Sequence, residues 1–137
     1  MSEQKKKIRI LLVDDEPLTL RVFGGKLSNK GFEILYAHDG NEGREVARRM
    51  EVDLILLDFR MPVMDGIETL ERLKGEKITK NIPIIMLTSE DLSRDAEKAI
   101  KDLGADDYIQ KGTTTDNLVK RINKVLRSQK DKSKKLE

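Results

Sequence analysis

The sequence predicts an α/β fold, a parallel sheet with helices on both faces. Three observations carry that expectation. Short apolar runs alternate five times with stretches of helical periodicity. The runs at 8–13 and 54–57 are apolar without alternation, which suits strands covered on both sides rather than half-exposed ones. Several runs end abruptly in aspartate, threonine or lysine, and the carboxyl ends of parallel strands are where open α/β sheets bind their ligands.

The 137 residues suit one domain, large enough to bury roughly 68% of its unfolded surface. Cysteine is absent, which excludes disulfides, thiolate zinc sites and cysteine nucleophiles. No apolar run approaches the ~20 residues that cross a bilayer, and the N-terminus lacks a signal-peptide core, so a cytoplasmic protein with no membrane contact is expected. The formal charge of +2 is unevenly placed: residues 1–9 carry +3 and residues 128–137 carry +2, leaving −3 for the body. A slightly acidic body with 4% aromatics lacks the basic stripe and stacking platforms of a nucleic-acid binder, so no direct DNA binding is expected. The expected organisation is a basic N-terminal extension (1–7), one folded domain (8–127) and a disordered basic tail (128–137). Leu136-Glu137 is read in part as a cloning scar.

The first strand, 8–13, is followed at once by Asp14, Asp15 and Glu16. Pro17 suits the first turn of a helix, whose positive end favours the acids before it. That helix, 17–29, carries two apolar stripes: Leu20, Phe23 and Leu27 on one face, Leu18, Val22 and Gly25 on a neighbouring one. One stripe packs on the sheet and the other is either a wider core face or partner-facing. Gly24 and Gly25 each cost about 1 kcal/mol against alanine, so close packing or a contact surface should compensate.

Asn29, Lys30 and Gly31 close the helix, a second strand follows at 32–37, and Asp39-Gly40 reads as a turn. The single histidine, His38, lies beside that turn and reads as a surface residue. A helix at 41–50 leads to the central strand, which delivers Asp58 to a loop marked by Pro62 and Asp65-Gly66. A helix at 67–74 buries Leu70 and Leu73. The fourth strand, 84–87, delivers Thr88 and Ser89, and a helix at 93–103 stops at Gly104. The fifth strand, 107–110, delivers Lys111. Thr113 with Asp116 resembles a capping box opening a last helix, whose apolar face is Leu118, Ile122, Val125 and Leu126.

Four strand ends thus supply Asp14 and Asp15, Asp58, Thr88 and Ser89, and Lys111. In outline this is a phosphate-and-metal site. Carboxylates and a loop carbonyl are the oxygen ligands Mg²⁺ or Mn²⁺ prefers. An ammonium and a hydroxyl suit phosphoryl oxygens, and Asp58 would be the nucleophile.

The acidic pair Asp14-Asp15, the stretch 58–66 with Met61-Pro62 and Asp65-Gly66, Thr88, Gly104-Ala105, Tyr108 and Lys111 stand in order at specific spacings. Taken singly, each has an ordinary structural reading. Together they make the sequence resemble the receiver domain of a two-component response regulator, of the stand-alone chemotaxis-regulator type, over about 8–127. The resemblance implies a flavodoxin-like, doubly wound, five-stranded parallel sheet in the order 2-1-3-4-5. It implies a phosphorelay switch rather than an enzyme, with self-phosphorylation from small phosphodonors and autodephosphorylation. Asp58 resembles the phosphoacceptor; Asp15 and Asp58 resemble direct metal ligands, with Asp14 assisting and Arg60 lending its main-chain carbonyl. Thr88 resembles the switch hydroxyl, Tyr108 the aromatic switch and Lys111 the phosphate-binding ammonium. The implied partners are a histidine kinase or histidine phosphotransfer protein, and a downstream protein on the face of the fourth helix, fifth strand and fifth helix.

One departure stands out: receivers usually follow the lysine with a cis proline, whereas Gly112 follows Lys111 here. A cis bond without proline costs ~2.5–4 kcal/mol, so a trans bond and a more mobile loop are expected. Two alternatives stand beside this reading. A degenerate, phosphate-independent receiver would have lost part of the acidic or lysine set. A Mg²⁺-dependent phosphatase with an aspartate nucleophile needs a second acid two residues on, where this chain has Arg60. Arg60 and Glu90, two residues after Asp58 and Thr88, are expected to form an ion pair across the route of water to the phosphoryl group, a dephosphorylation gate.

Overall fold

The computed structural model describes residues 6–61 and 64–135, with side chains as far as Lys132. Five strands alternate with five helices: β1 (Arg9–Val13), α1 (Pro17–Asn29), β2 (Glu33–Ala37), α2 (Gly40–Arg49), β3 (Leu54–Asp58), α3 (Gly66–Gly75), β4 (Ile84–Thr88), α4 (Arg94–Asp102), β5 (Asp107–Gln110) and α5 (Thr115–Lys135). The strands form one parallel sheet in the order β2-β1-β3-β4-β5, as the resemblance implied.

Strict alternation along each strand divides the core in two. Ile10 and Leu12 of β1, with Leu54 and Leu56 of β3, pack under α1 and α5. Leu11 and Val13, with Ile55 and Leu57, pack under α2, α3 and α4. This explains the continuous apolar runs, since every position of β3 and β4 is buried on one side or the other.

Of the two stripes on α1, Leu20 and Leu27 are buried and Phe23 packs against the same core. The other stripe faces out, with Leu18 67% and Val22 40% exposed. The two glycines differ. A Cβ on Gly24 would fall 2.2 Å from the Tyr36 hydroxyl oxygen, so close packing accounts for it, whereas Gly25 faces open space.

Several boundaries shift for identifiable reasons. Phe32 belongs to the helix cap rather than β2: its N–H bonds the Leu27 carbonyl while Gly31, at φ 97°, bonds Ser28. Asp39-Gly40 and Asp65-Gly66 are helix starts rather than free turns, because Asp39 and Asp65 accept from the backbone N–H groups of Glu42 and Glu68. The cap of α5 is Thr114, not Thr113: its hydroxyl accepts from Asn117 N–H, and Thr113 instead binds the Asn117 amide side chain.

The expected disordered tail is corrected. α5 continues past Ser128 to Lys135, held to the body where Gln129 donates to the Asn81 carbonyl at 2.6 Å. Lysine and glutamine are adequate helix formers, so the helix propagates without an apolar stripe to announce it. Pro62, Leu136-Glu137 and most of the N-terminal extension lie outside the described residues. His38 is exposed, 3.3 Å from Glu42, as expected of a surface residue.

Candidate functional site

The sheet register gathers the chemistry at one edge. Val13 pairs with Leu57 and Asp58 with Leu87, so Asp14 leaves β1 beside the end of β3, while Thr88 pairs with Gln110 one residue before Lys111. Backbone hydrogen bonds fix the loops that follow: Asp14 N–H to Ala37, Phe59 N–H to Leu87 and Lys111 N–H to Thr88 carbonyls.

Asp14 is fully buried and Asp58 nearly so. Asp14, Asp15 and Asp58 each bring one carboxylate oxygen to a common spot, the oxygens within 4.8 Å of one another. Lys111 Nζ lies 2.7 Å from Asp14 Oδ2 and 3.1 Å from Asp58 Oδ1. One ammonium facing three carboxylates leaves negative charge over. Burial first, and then the neighbouring Asp14 charge, push the Asp58 carboxyl up to about 6; Lys111 and a backbone hydrogen bond from Arg60 oppose that rise without cancelling it. Burial alone would lower the Lys111 ammonium, but its bonds to both carboxylates prevail and hold it above the usual lysine range.

These three acids fit a hard divalent cation. They offer oxygen donors only, on a rigid sheet edge, and their uncompensated charge is what such an ion neutralises. The sequence expectation of Mg²⁺ therefore agrees with the donor set.

Gly66 has a role that its turn-like context hid. A Cβ there would lie 2.3 Å from the Asp58 carbonyl oxygen and 2.9 Å from Phe59 Cα, so the start of α3 presses on the backbone that carries Asp58. The N–H of Gly66 bonds the Phe59 carbonyl.

The remaining expected residues fall around this centre. The Thr88 hydroxyl donates to the Glu90 carbonyl at 3.1 Å and accepts from the Glu90 N–H at 3.0 Å. Ser89 is exposed. Arg60 Nη2 and Glu90 Oε2 pair at 3.1 Å, both largely solvent-exposed. Tyr108 is half-buried, and its hydroxyl donates to Glu97 Oε2 on α4 at 2.9 Å. Its carbonyl accepts from Arg121 of α5 at 3.0 Å, and Arg121 also forks onto Asp107. Glu97 and Arg121 were missed by sequence reasoning: each contact crosses between elements, and no local spacing signals it. The Lys111–Gly112 bond is trans, since no cis bond occurs among the described residues.

A parallel five-stranded sheet ordered 2-1-3-4-5, with an acidic cluster and a lysine at its carboxyl edge, defines a receiver-type domain. The comparisons agree, and the chain belongs to that family: the response regulator receiver domain family matches residues 10–123. Protein PilH of Pseudomonas aeruginosa is 35% identical over 118 residues, covering 86% of this chain and 97% of PilH. The transcriptional regulator RpaA of Synechocystis is 34% identical over 87% of this chain. The chain spans about half the length of several such regulators, 49% in the case of RpaA. Among solved structures, a CheY-like receiver domain protein from Methanospirillum hungatei superposes with a TM-score of 0.84 at 29% identity, covering 93% of this chain and 99% of its own. Chemotaxis protein CheY4 of Vibrio cholerae gives 0.82 at 30% identity over 88% and 99%.

Proposed function

We propose that this chain is a phosphoryl-accepting switch in which Asp58 is the acceptor. The observation that supports it best is Lys111 bridging Asp14 and Asp58 at 2.7 and 3.1 Å, with Asp15 beside them. An Asp58 oxygen attacks the phosphorus of a phosphohistidine or a small acyl phosphate. The new O–P bond forms as the donor's N–P or O–P bond breaks, and the leaving group takes the electron pair. Lys111 turns its ammonium toward the transferred phosphoryl oxygens, and the buried edge keeps bulk water from competing. Asp14, Asp15, Asp58 and the Arg60 carbonyl would hold Mg²⁺ or Mn²⁺, which supplies charge neutralisation when bound. Autodephosphorylation reverses the acceptor's part: water attacks phosphorus, the Asp58 O–P bond breaks, and carboxylate and phosphate remain.

The added charge of about −1.5 to −2 then has to be met by groups able to move. Thr88 leaves Glu90 for the phosphoryl group, and Tyr108 follows into the vacated space. The α4–β5–α5 face changes shape and serves the downstream partner, while the exposed Leu18 and Val22 stripe of α1 suits the kinase or phosphotransfer protein. The complete acid and lysine set gives the degenerate reading no support, and Arg60 stands where a phosphatase needs its general acid. No helix among the described residues is long and apolar enough to cross a membrane.

Intact-protein mass after treatment with acetyl phosphate and Mg²⁺ tests the proposal. One phosphoryl unit should be gained, and none by Asp58→Asn or in EDTA; an equal gain in either control overturns it.

A further inference from the structure

We propose that Glu97 is a positioning residue that holds Tyr108 outward and, through it, keeps α4 seated on the sheet until Asp58 is phosphorylated. The inference rests on the reading of Asp58 as phosphoacceptor and adds a residue that the family resemblance did not single out.

α4 is thinly attached. Its nine residues bury a single side chain, Ile100. Its start is capped by Ser93, whose hydroxyl accepts from Ala96 N–H, but that bond is internal to the helix and ties it to nothing else. Among the described residues, the polar link from the body of α4 to the sheet is the Tyr108 hydroxyl on Glu97 Oε2 at 2.9 Å. Glu97 is steadied in turn by Lys101 Nζ at 3.5 Å, one helical turn on. An ionised acceptor makes this stronger than a neutral hydrogen bond. The same carboxylate holds the phenol above its usual range, so Tyr108 keeps the proton it donates.

Tyr108 is gripped differently from the other side. Its carbonyl is bound by Arg121 of α5, whose guanidinium also forks onto Asp107. The backbone of β5 is therefore fixed by Arg121, while the ring rests against the core beneath α4 and its hydroxyl is tied to Glu97, the contact it must leave to turn. Turning inward after Thr88 strips α4 of that link and leaves it held by the apolar contacts of Ile100 and of the flanking Leu92 and Leu103.

Hydrogen–deuterium exchange of the α4 amides, read by mass spectrometry on the full chain, tests this. Before phosphorylation, Tyr108→Phe and Glu97→Ala should exchange about tenfold faster than wild type over residues 97–102, and Glu97→Gln, which keeps an acceptor oxygen, should fall between. Alanine is the better helix former, so the acceleration in Glu97→Ala cannot come from propensity. Asp95→Asn removes a first-turn acid that does not touch Tyr108 and should match wild type; equal acceleration there would assign the effect to the helix dipole and overturn the proposal. Amides of α1 should be unchanged throughout. After acetyl phosphate and Mg²⁺, wild-type α4 should rise to the level of Tyr108→Phe, with little further change in that variant. Equal exchange in all unphosphorylated proteins overturns the proposal, as does unchanged α4 exchange in wild type whose mass shows the phosphoryl group. A wild type that gains no phosphoryl mass overturns the reading of Asp58 instead, and leaves the unphosphorylated comparison standing as the test of the tie.

Discussion

Asp58 is costly to keep ionised, because it sits nearly buried beside Asp14, and Lys111 repays only part of that cost. A carboxyl pushed up to about 6 means that the folded protein holds this proton more tightly than the unfolded chain does. The penalty is fully present above that pH and disappears as pH falls toward the unfolded carboxylate's range, roughly pH 4. Asp58→Asn should therefore be more stable than wild type by on the order of 1–2 kcal/mol at pH 7.5 without metal, with the gain shrinking on acidification to about pH 4.5. Urea unfolding at the two pH values measures it, and a gain independent of pH would contradict the assignment. The Arg60–Glu90 pair belongs to the same scale. At 70% and 51% side-chain exposure its worth to stability is only ~0–1 kcal/mol, but a barrier change of ~1.4 kcal/mol is tenfold in rate. As a gate on water it should lengthen the phosphorylated state, so Arg60→Ala and Glu90→Ala should each speed dephosphorylation severalfold. Decay rates unchanged in both variants would remove the gate.

Between elements, the join of β3 to α3 is the most constrained. Gly66 allows α3 to begin against the backbone of Asp58, and Gly66→Ala would drive a methyl into that carbonyl. Overpacking of this kind typically costs ~1–3 kcal/mol. The variant should lose about that much stability in urea and accept phosphate more slowly, since relief of the clash displaces the acceptor. Full stability with full phosphorylation rate would show that the contact is unimportant. The elements also show how far the sequence could be read. Strands and site residues were legible because a doubly covered sheet demands unbroken apolar runs, and because its carboxyl edge collects what interrupts them, Asp14, Asp58, Thr88 and Lys111. The strand order came from the resemblance, since periodicity carries no information about neighbours. The end of α5 was invisible because the residues from 127 to 132 bury no side chain and so carry no apolar rhythm. Glu97, Arg121 and the steric role of Gly66 were invisible because each is a contact between different elements, which no local spacing records.

At the scale of the molecule, the corrected length of α5 changes the picture of its charge. α5 runs back from the site, and its far half lines a groove with Ile8 and Asp53, which precede β1 and β3. Arg127 and Lys130 are exposed there, Lys120, Lys124 and Lys132 are exposed along the side of α5 that faces Asp106 and Asp107, and none of the five has an ion-pair partner among the described residues. Asp14, Asp15, Asp58, Glu90 and Asp91 gather at the opposite end, where Lys111 and Arg60 offset part of their charge. Such a body behaves in an electric field like a compass needle. A charged protein approaching it feels a torque before any surfaces meet, over the ~8 Å that physiological salt leaves unscreened. Arg127→Gln and Lys130→Gln together, away from the α4–β5–α5 face, should accordingly alter how fast a charged partner is captured at low salt, by several-fold in stopped-flow mixing, and leave its departure rate almost untouched. A partner insensitive to both changes in both rates would approach without being turned. The two ends thus offer opposite poles to whatever arrives, and orientation on arrival is settled by the longest of the five helices.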